Sequence, residues 1–84
     1  MKWQVVTKRS FDKEFSALQP DLQRRVAGAL MKLADDPLPP GHKKLRGSGD
    51  YRIRVGDYRV LYSLDGQALI VRLLAVGHRR EIYR

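Results

Sequence analysis

An 84-residue chain with 17 Lys and Arg against 9 Asp and Glu carries a formal net charge of +8, which points to one small domain over residues 1–84 with a modest core and a polyanionic partner. The lack of cysteine excludes disulfides, thiol nucleophiles and cysteine-ligated metals, and the two histidines, His42 and His78, lie too far apart in sequence to suggest a metal site. No signal peptide, transmembrane run, lipidation motif or basic amphipathic helix stands out, so a cytoplasmic protein with no membrane contact is expected, needing no cofactor and no small-molecule ligand.

Lys2 to Thr7 is β-branched and aromatic and reads as a strand. Ser10 is a fitting N-cap for a helix whose Phe11, Phe15 and Leu18 recur at i, i+4 and i+7. Gln19-Pro20-Asp21 interrupts that pattern and opens a second helix, with proline in its first turn and Asp21 at its positive end. Leu22, Val26, Leu30 and Leu33 form the apolar stripe, Arg24, Arg25 and Lys32 lie mostly off it, and Asp35-Asp36-Pro37 ends the helix. The two helices are expected to form an antiparallel hairpin. Leu38 to Ser48 reads as a loop, to which Lys43, Lys44 and Arg46 add positive charge.

From Tyr51 onward three apolar runs are joined by two turn signals, Gly56-Asp57 and Asp65-Gly66. With Gly56-Asp57 as a two-residue loop, Val55 faces Tyr58, Arg54 faces Arg59 and Ile53 faces Val60. Opposed residues share a side of the sheet and successive residues alternate. Arg52, Arg54 and Arg59 then share one face, and Tyr51, Ile53, Val55, Tyr58, Val60 and Tyr62 share the other. Treating Asp65-Gly66 likewise sets Tyr62 opposite Leu69, Val60 opposite Val71 and Arg59 opposite Arg72. Arg72 thus joins the arginines, while Leu69, Val71 and Leu73 join the apolar side. The expected class is α+β: a small, largely antiparallel sheet in the order β-α-α-β-β-β, with the helices on its apolar face.

Like charges directly opposed across a sheet are destabilising. Arginine stems covering Leu61, Ile70 and Leu74 would give such a face a structural use, but no acid on these strands offsets it, and exposed charge held at a loss to stability often marks a site. The distribution of charge agrees. Residues 1–42 are net +2 and residues 43–84 net +6, so the excess lies where the arginine face forms and favours nucleic acid or an acidic protein segment.

The element order, Lys44-Leu45-Arg46-Gly47, Tyr51-Arg52-Ile53-Arg54, Tyr58-Arg59 and the tail Gly77-His78-Arg79-Arg80…Tyr83-Arg84 together resemble the RelE branch of the RelE/ParE toxin superfamily. The resemblance covers nearly the whole chain. It implies a toxin of a type II toxin–antitoxin system, held by a cognate antitoxin, that cuts mRNA in the A site of the 30S ribosomal subunit. It also implies the chemistry: a ribose 2′-OH attacks its own 3′-phosphate without metal, leaving a 2′,3′-cyclic phosphate and a 5′-OH. Such a reaction needs a base, an acid and charge stabilisation at phosphorus.

On that reading Arg59 and Arg79 stabilise the phosphorane, Arg52 and Arg54 assist and hold neighbouring phosphates, and Tyr83 or His78 moves protons. Tyr83 otherwise pins the tail to the core, and His78 is otherwise a surface imidazole at a strand end. Lys43, Lys44, Arg46, Arg72 and Arg80 are expected to bind RNA, as backbone or ribosomal contacts. The family often has lysines at the positions of Arg52 and Arg54. Arginine clamps phosphate but does not give up its proton, so neither serves well as general base or acid. The tail between Arg79 and Tyr83 is two residues shorter than in some relatives. Two other functions share this fold and remain open from sequence: inhibition of DNA gyrase, as in the ParE branch, and RNA binding without cleavage.

Overall fold

Alternation of apolar and polar residues from Tyr51 onward builds three strands of a five-stranded mixed sheet in the computed structural model, which describes residues 2–80. The elements are β1 (Gln4–Thr7), α1 (Arg9–Ser16), α2 (Pro20–Asp35), β2 (Lys43–Lys44), β3 (Tyr51–Val55), β4 (Tyr58–Asp65) and β5 (Ile70–His78). Their order across the sheet is β1-β5-β4-β3-β2. β1 runs parallel to β5, and the remaining neighbours are antiparallel. The expected α+β layout is therefore present, with one addition. Lys43 and Lys44, read as loop, form a two-residue strand paired with Arg52 and Tyr51.

The helices cover the apolar side. Phe11, Val26 and Leu33 meet Ile53, Val55, Val60, Tyr62, Val71, Leu73 and Val76 in one buried cluster, with Phe15, Leu18 and Leu30 at its margin. Each fully buried side chain of this size contributes about 1.5–3 kcal/mol of transfer free energy. α1 packs on β5, whereas α2 packs on β1 and β3. Pro20 opens α2 in its first turn, and Asp21 lies beside it. No helix among the described residues is long and apolar enough to cross a membrane.

Ser10 does not cap α1. The helix starts two residues earlier than such a cap requires, at Arg9, after an extended Lys8 that offers no side-chain cap. The Ser10 hydroxyl instead donates to the Leu74 carbonyl at 2.9 Å, a contact that bears on the site described below.

Tyr62 ties the core to the end of α2. Its ring is fully buried and stacks on Tyr51 at 5.8 Å, and its hydroxyl donates to the Pro37 carbonyl at 2.7 Å. Burial, followed by the proximity of Tyr51 and Asp36, pushes its pKa from 10.0 to about 12. A raised folded-state value means that the neutral phenol favours the fold. That contribution is complete below pH 10 and is lost as pH rises through about 12. Denaturant titrations across this window should show stability falling, with a smaller fall in Tyr62→Phe. At neutral pH that variant is expected to lose about 1 kcal/mol; an unchanged midpoint would remove the assigned role of the hydroxyl.

Candidate active site

Gly56 has φ of +61°, and Asp57 after it does not share the positive φ. This is the glycine-first two-residue turn whose twist matches the flanking strands. It fixes the register derived from sequence: Val55 pairs with Tyr58, Arg54 with Arg59 and Ile53 with Val60. Two guanidinium groups are thereby held side by side on the face away from the helices, at a cost of up to about 1 kcal/mol if nothing offset them.

The next connection is longer than the Asp65-Gly66 signal suggests. Asp65 is not the first residue of a two-residue loop; it pairs with Ile70, and four residues, 66–69, make the turn. The Asp65 carboxylate accepts from the Gln67 and Ala68 amides at 3.1 and 3.0 Å, and Leu69 takes φ of +55°. An aspartate capping its own downstream amides stabilises this longer loop. Tyr62 consequently faces Leu73 rather than Leu69, Arg72 faces Ser63, and Arg59 faces Gly77. Leu69 is an exposed loop residue and not part of the apolar face. The slip of four at Tyr62 is even, so Val71 and Leu73 stay buried and Arg72 stays opposite them. Arg72 nonetheless lies four strand positions from the level of Arg59, about 13 Å away along the sheet. It also abuts Val6 of β1. Arg72 is not a neighbour of Arg59.

A second departure assembles the site. The pairing jumps from Tyr62↔Leu73 to Leu61↔Ala75, leaving Leu74 as a bulged residue. One extra residue reverses the sides of everything after it. Without the bulge Gly77 and Arg79 would follow Val71 and Leu73 toward the helices. With it Val76 is buried, Gly77 faces Arg59, and Arg79 follows on the arginine side. α1 holds this irregular stretch. β1 ends at Thr7, opposite Leu73, and beyond it Ser10 donates to the Leu74 carbonyl while a Glu14 carboxylate oxygen accepts from the Val76 amide at 3.1 Å. Ser10 and Glu14 are one helical turn apart and so reach the same strip of β5. The Arg79 amide then donates to the Asp57 carbonyl at 2.9 Å, fastening the end of β5 to the Gly56-Asp57 turn.

The outcome is a small pocket of about 100 Å³ lined by Arg54, Gly56, Asp57, Arg59 and Arg79. Three guanidinium groups around one opening suit a phosphate gaining negative charge. Arg52 shares their side of β3 but pairs across from Leu61 and lines a different depression. It is 5% exposed and donates to the Gly41 carbonyl at 3.4 Å. Of the loop cations, Lys43 lines that same depression, whereas Lys44 and Arg46 line neither. Arg80 is exposed beyond the end of β5.

His78 pairs with Tyr58, and the rings meet edge to face at 5.5 Å. Strand alternation puts both on the helix side, and His78 does not line the arginine pocket. Its Nδ1 accepts from the Arg80 amide at 3.2 Å. Tyr83 lies outside the described residues. Two residues near the site carry no site signal in the sequence: Asp57 lines the pocket, and Arg25 lines the depression beside it. From sequence Asp57 is only a turn former, although it sits between Arg54 and Arg59. From sequence Arg25 is only a residue off the helix stripe; its guanidinium lies 3.1 Å from where a side chain on Gly56 would begin. No local pattern in α2 signals that contact.

Residues 5–83 match the family of ParE toxins of type II toxin–antitoxin systems, parDE. The chain belongs to the RelE/ParE toxin superfamily. Within it, the chain is 33% identical over 84 aligned positions to a candidate RelE-like toxin protein of Escherichia coli, covering 96% of this chain and 87% of that one. It is 41% identical over 61 positions to toxin RelG of Mycobacterium tuberculosis, covering 70% and 69%. Its fold superposes on a chain of the archaeal RelE–RelB complex from Pyrococcus horikoshii with a TM-score of 0.85 at 29% identity, over 96% of this chain and 99% of the other. As a superfamily member it is a toxin of type II toxin–antitoxin kind, with RelE-like topology.

Proposed function

We propose that this toxin is an mRNA endonuclease of the RelE branch, acting on messages in the ribosomal A site. The observation that carries the proposal is the pocket that gathers Arg54, Arg59 and Arg79 from three segments of chain. The bulge in β5 and the opposed arginines of β3 and β4 go beyond what a solvated sheet face needs. The reaction is attack of a 2′-OH on the adjacent phosphate. Arg59 and Arg79 stabilise the extra charge as the phosphorane forms, and Arg54 holds a phosphate oxygen at the rim. Arginine keeps its protons, so proton transfer falls to another group. Tyr83 is the residue that the family resemblance implies. His78, on the helix side of the sheet, would reach the pocket only by leaving Tyr58.

An antitoxin partner follows from the likeness to the Pyrococcus RelE, which is complexed with RelB. The proposed antitoxin segment is acidic or amphipathic, covers the basic face, and blocks RNA or displaces the tail. The 30S A site and its mRNA are the proposed target.

The match to ParE toxins favours a second reading, inhibition of DNA gyrase on the same fold. Induction in growing cells separates the two. Truncated messages ending in a 2′,3′-cyclic phosphate, with intact chromosomes, are expected. Intact messages with accumulating DNA breaks would overturn the nuclease reading in favour of gyrase.

A further inference from the structure

The depression that holds Arg52 is a groove of about 970 Å³ between α2 and the outer edge of β3. β2 covers β3 only at Tyr51 and Arg52, so the edge beyond is open. Arg25, Lys32, Lys43, Arg52 and Arg54 line the groove, and among the described residues none of its lining side chains is acidic or aromatic. Arg24 also lines it but is paired with Asp21 on the helix surface.

Arg52 is the informative member. A guanidinium carries five donors, yet this one is 5% exposed and its hydrogen bond to Gly41 is long at 3.4 Å. A buried charge held so loosely is costly unless an anion completes it. The groove also runs into the arginine pocket. Arg54 and Gly56 line both, and the Arg25 guanidinium rests against Gly56 at the junction.

The geometry points to a phosphate track: a strand whose reacting phosphate sits between Arg59 and Arg79 passes over Gly56 and lays its neighbouring phosphates along α2, against Arg25, Arg52, Lys32 and Lys43. This deepens the nuclease reading and rests on it. Continuity decides for nucleic acid over an acidic peptide, because a strand engaged in the pocket carries further phosphates into the groove by covalent connection. The absence of lining aromatic rings means that the backbone is held and the bases are not stacked. Arg25 to Lys32 spans about 10 Å along the helix, room for a short run of phosphates.

The test uses a single-stranded oligodeoxyuridine, which has no 2′-OH and is not cut, with binding followed by fluorescence anisotropy across a salt series. The double variant Arg25→Ala with Lys32→Ala should bind with a salt slope shallower by about 1.4, about 0.7 per lost phosphate contact. Lys8→Ala with Lys13→Ala, the same charge change on α1 and its N-cap, should leave the slope as in the parent. Equal slopes for both double variants would overturn the track. So would a groove variant that keeps its oligonucleotide slope while losing polyglutamate, which would make the groove a protein-docking surface. Cleavage on ribosomes is read in the same preparations. If the parent cuts nothing yet the slopes differ as stated, the nuclease reading falls and the track stands. If it cuts and the slopes agree, the track falls alone.

Discussion

Arg79→Ala is expected to lower the rate of message cleavage by about 10²–10³-fold, the usual effect of removing one preorganised donor from a developing charge. Two features make this a clean experiment. Arg79 is exposed, and the contact that fixes its position is made by its backbone amide to Asp57, which alanine retains. The melting temperature should therefore hold while activity collapses. Arg79→Lys keeps a charge without the planar fork and should recover only part of the rate. Arg59→Ala is expected to match it, and the double variant should lose less than the product of the two, since both groups serve one phosphate. Full cleavage by Arg79→Ala would remove the pocket from the reaction.

The second large effect lies away from the pocket. Glu14→Ala removes the acceptor of the Val76 amide and should cost about 1–3 kcal/mol for the lost charge-assisted bond to a part-buried donor. A larger consequence follows from the bulge. When β5 relaxes toward regular pairing, Gly77 and Arg79 turn toward the helices and the third guanidinium leaves the pocket. Cleavage per folded molecule should fall at least tenfold, a barrier change of about 1.4 kcal/mol. Glu14→Gln retains an acceptor oxygen and should restore most of it. Amide cross-peaks between Val60 and Val76 provide the structural readout: kept in Glu14→Gln, shifted in Glu14→Ala. If Glu14→Ala cuts normally once its folded fraction is allowed for, the bulge does not depend on this anchor. Glu14 is a positioning residue in this account, with no contact to the phosphate.

The two turns explain what sequence made legible. Gly56-Asp57 specifies its own geometry, because glycine supplies the positive φ at the first central position, and the register of β3 on β4 follows from that alone. Asp65-Gly66 looks equivalent, but the Asp65 side chain can cap amides two and three residues on, and it does so here, lengthening the loop. The faces survived the misplaced register because sidedness depends only on parity, whereas neighbours depend on the count itself. That is why the pairing of Arg54 with Arg59 is legible in the sequence and the position of Arg72 is not.

Arg79 reached the expected side by a route that sequence did not reveal. Nothing in Leu73-Leu74-Ala75-Val76 marks a bulge, and the residues that hold it, Ser10 and Glu14, are more than sixty positions away. Ser10 had an adequate local reading as a helix cap. A long-range contact overrode it. The groove beside α2 was hidden for the same reason: Arg25 and Arg52 meet one depression only because helix and strand edge pack together.

The most direct test of the central claim is primer extension across a message on stalled ribosomes, with the same naked RNA alongside. A new cut within the A-site codon, present only with ribosomes and lost in Arg79→Ala, is expected. No cut in either sample, or an undiminished cut by Arg79→Ala, would contradict it.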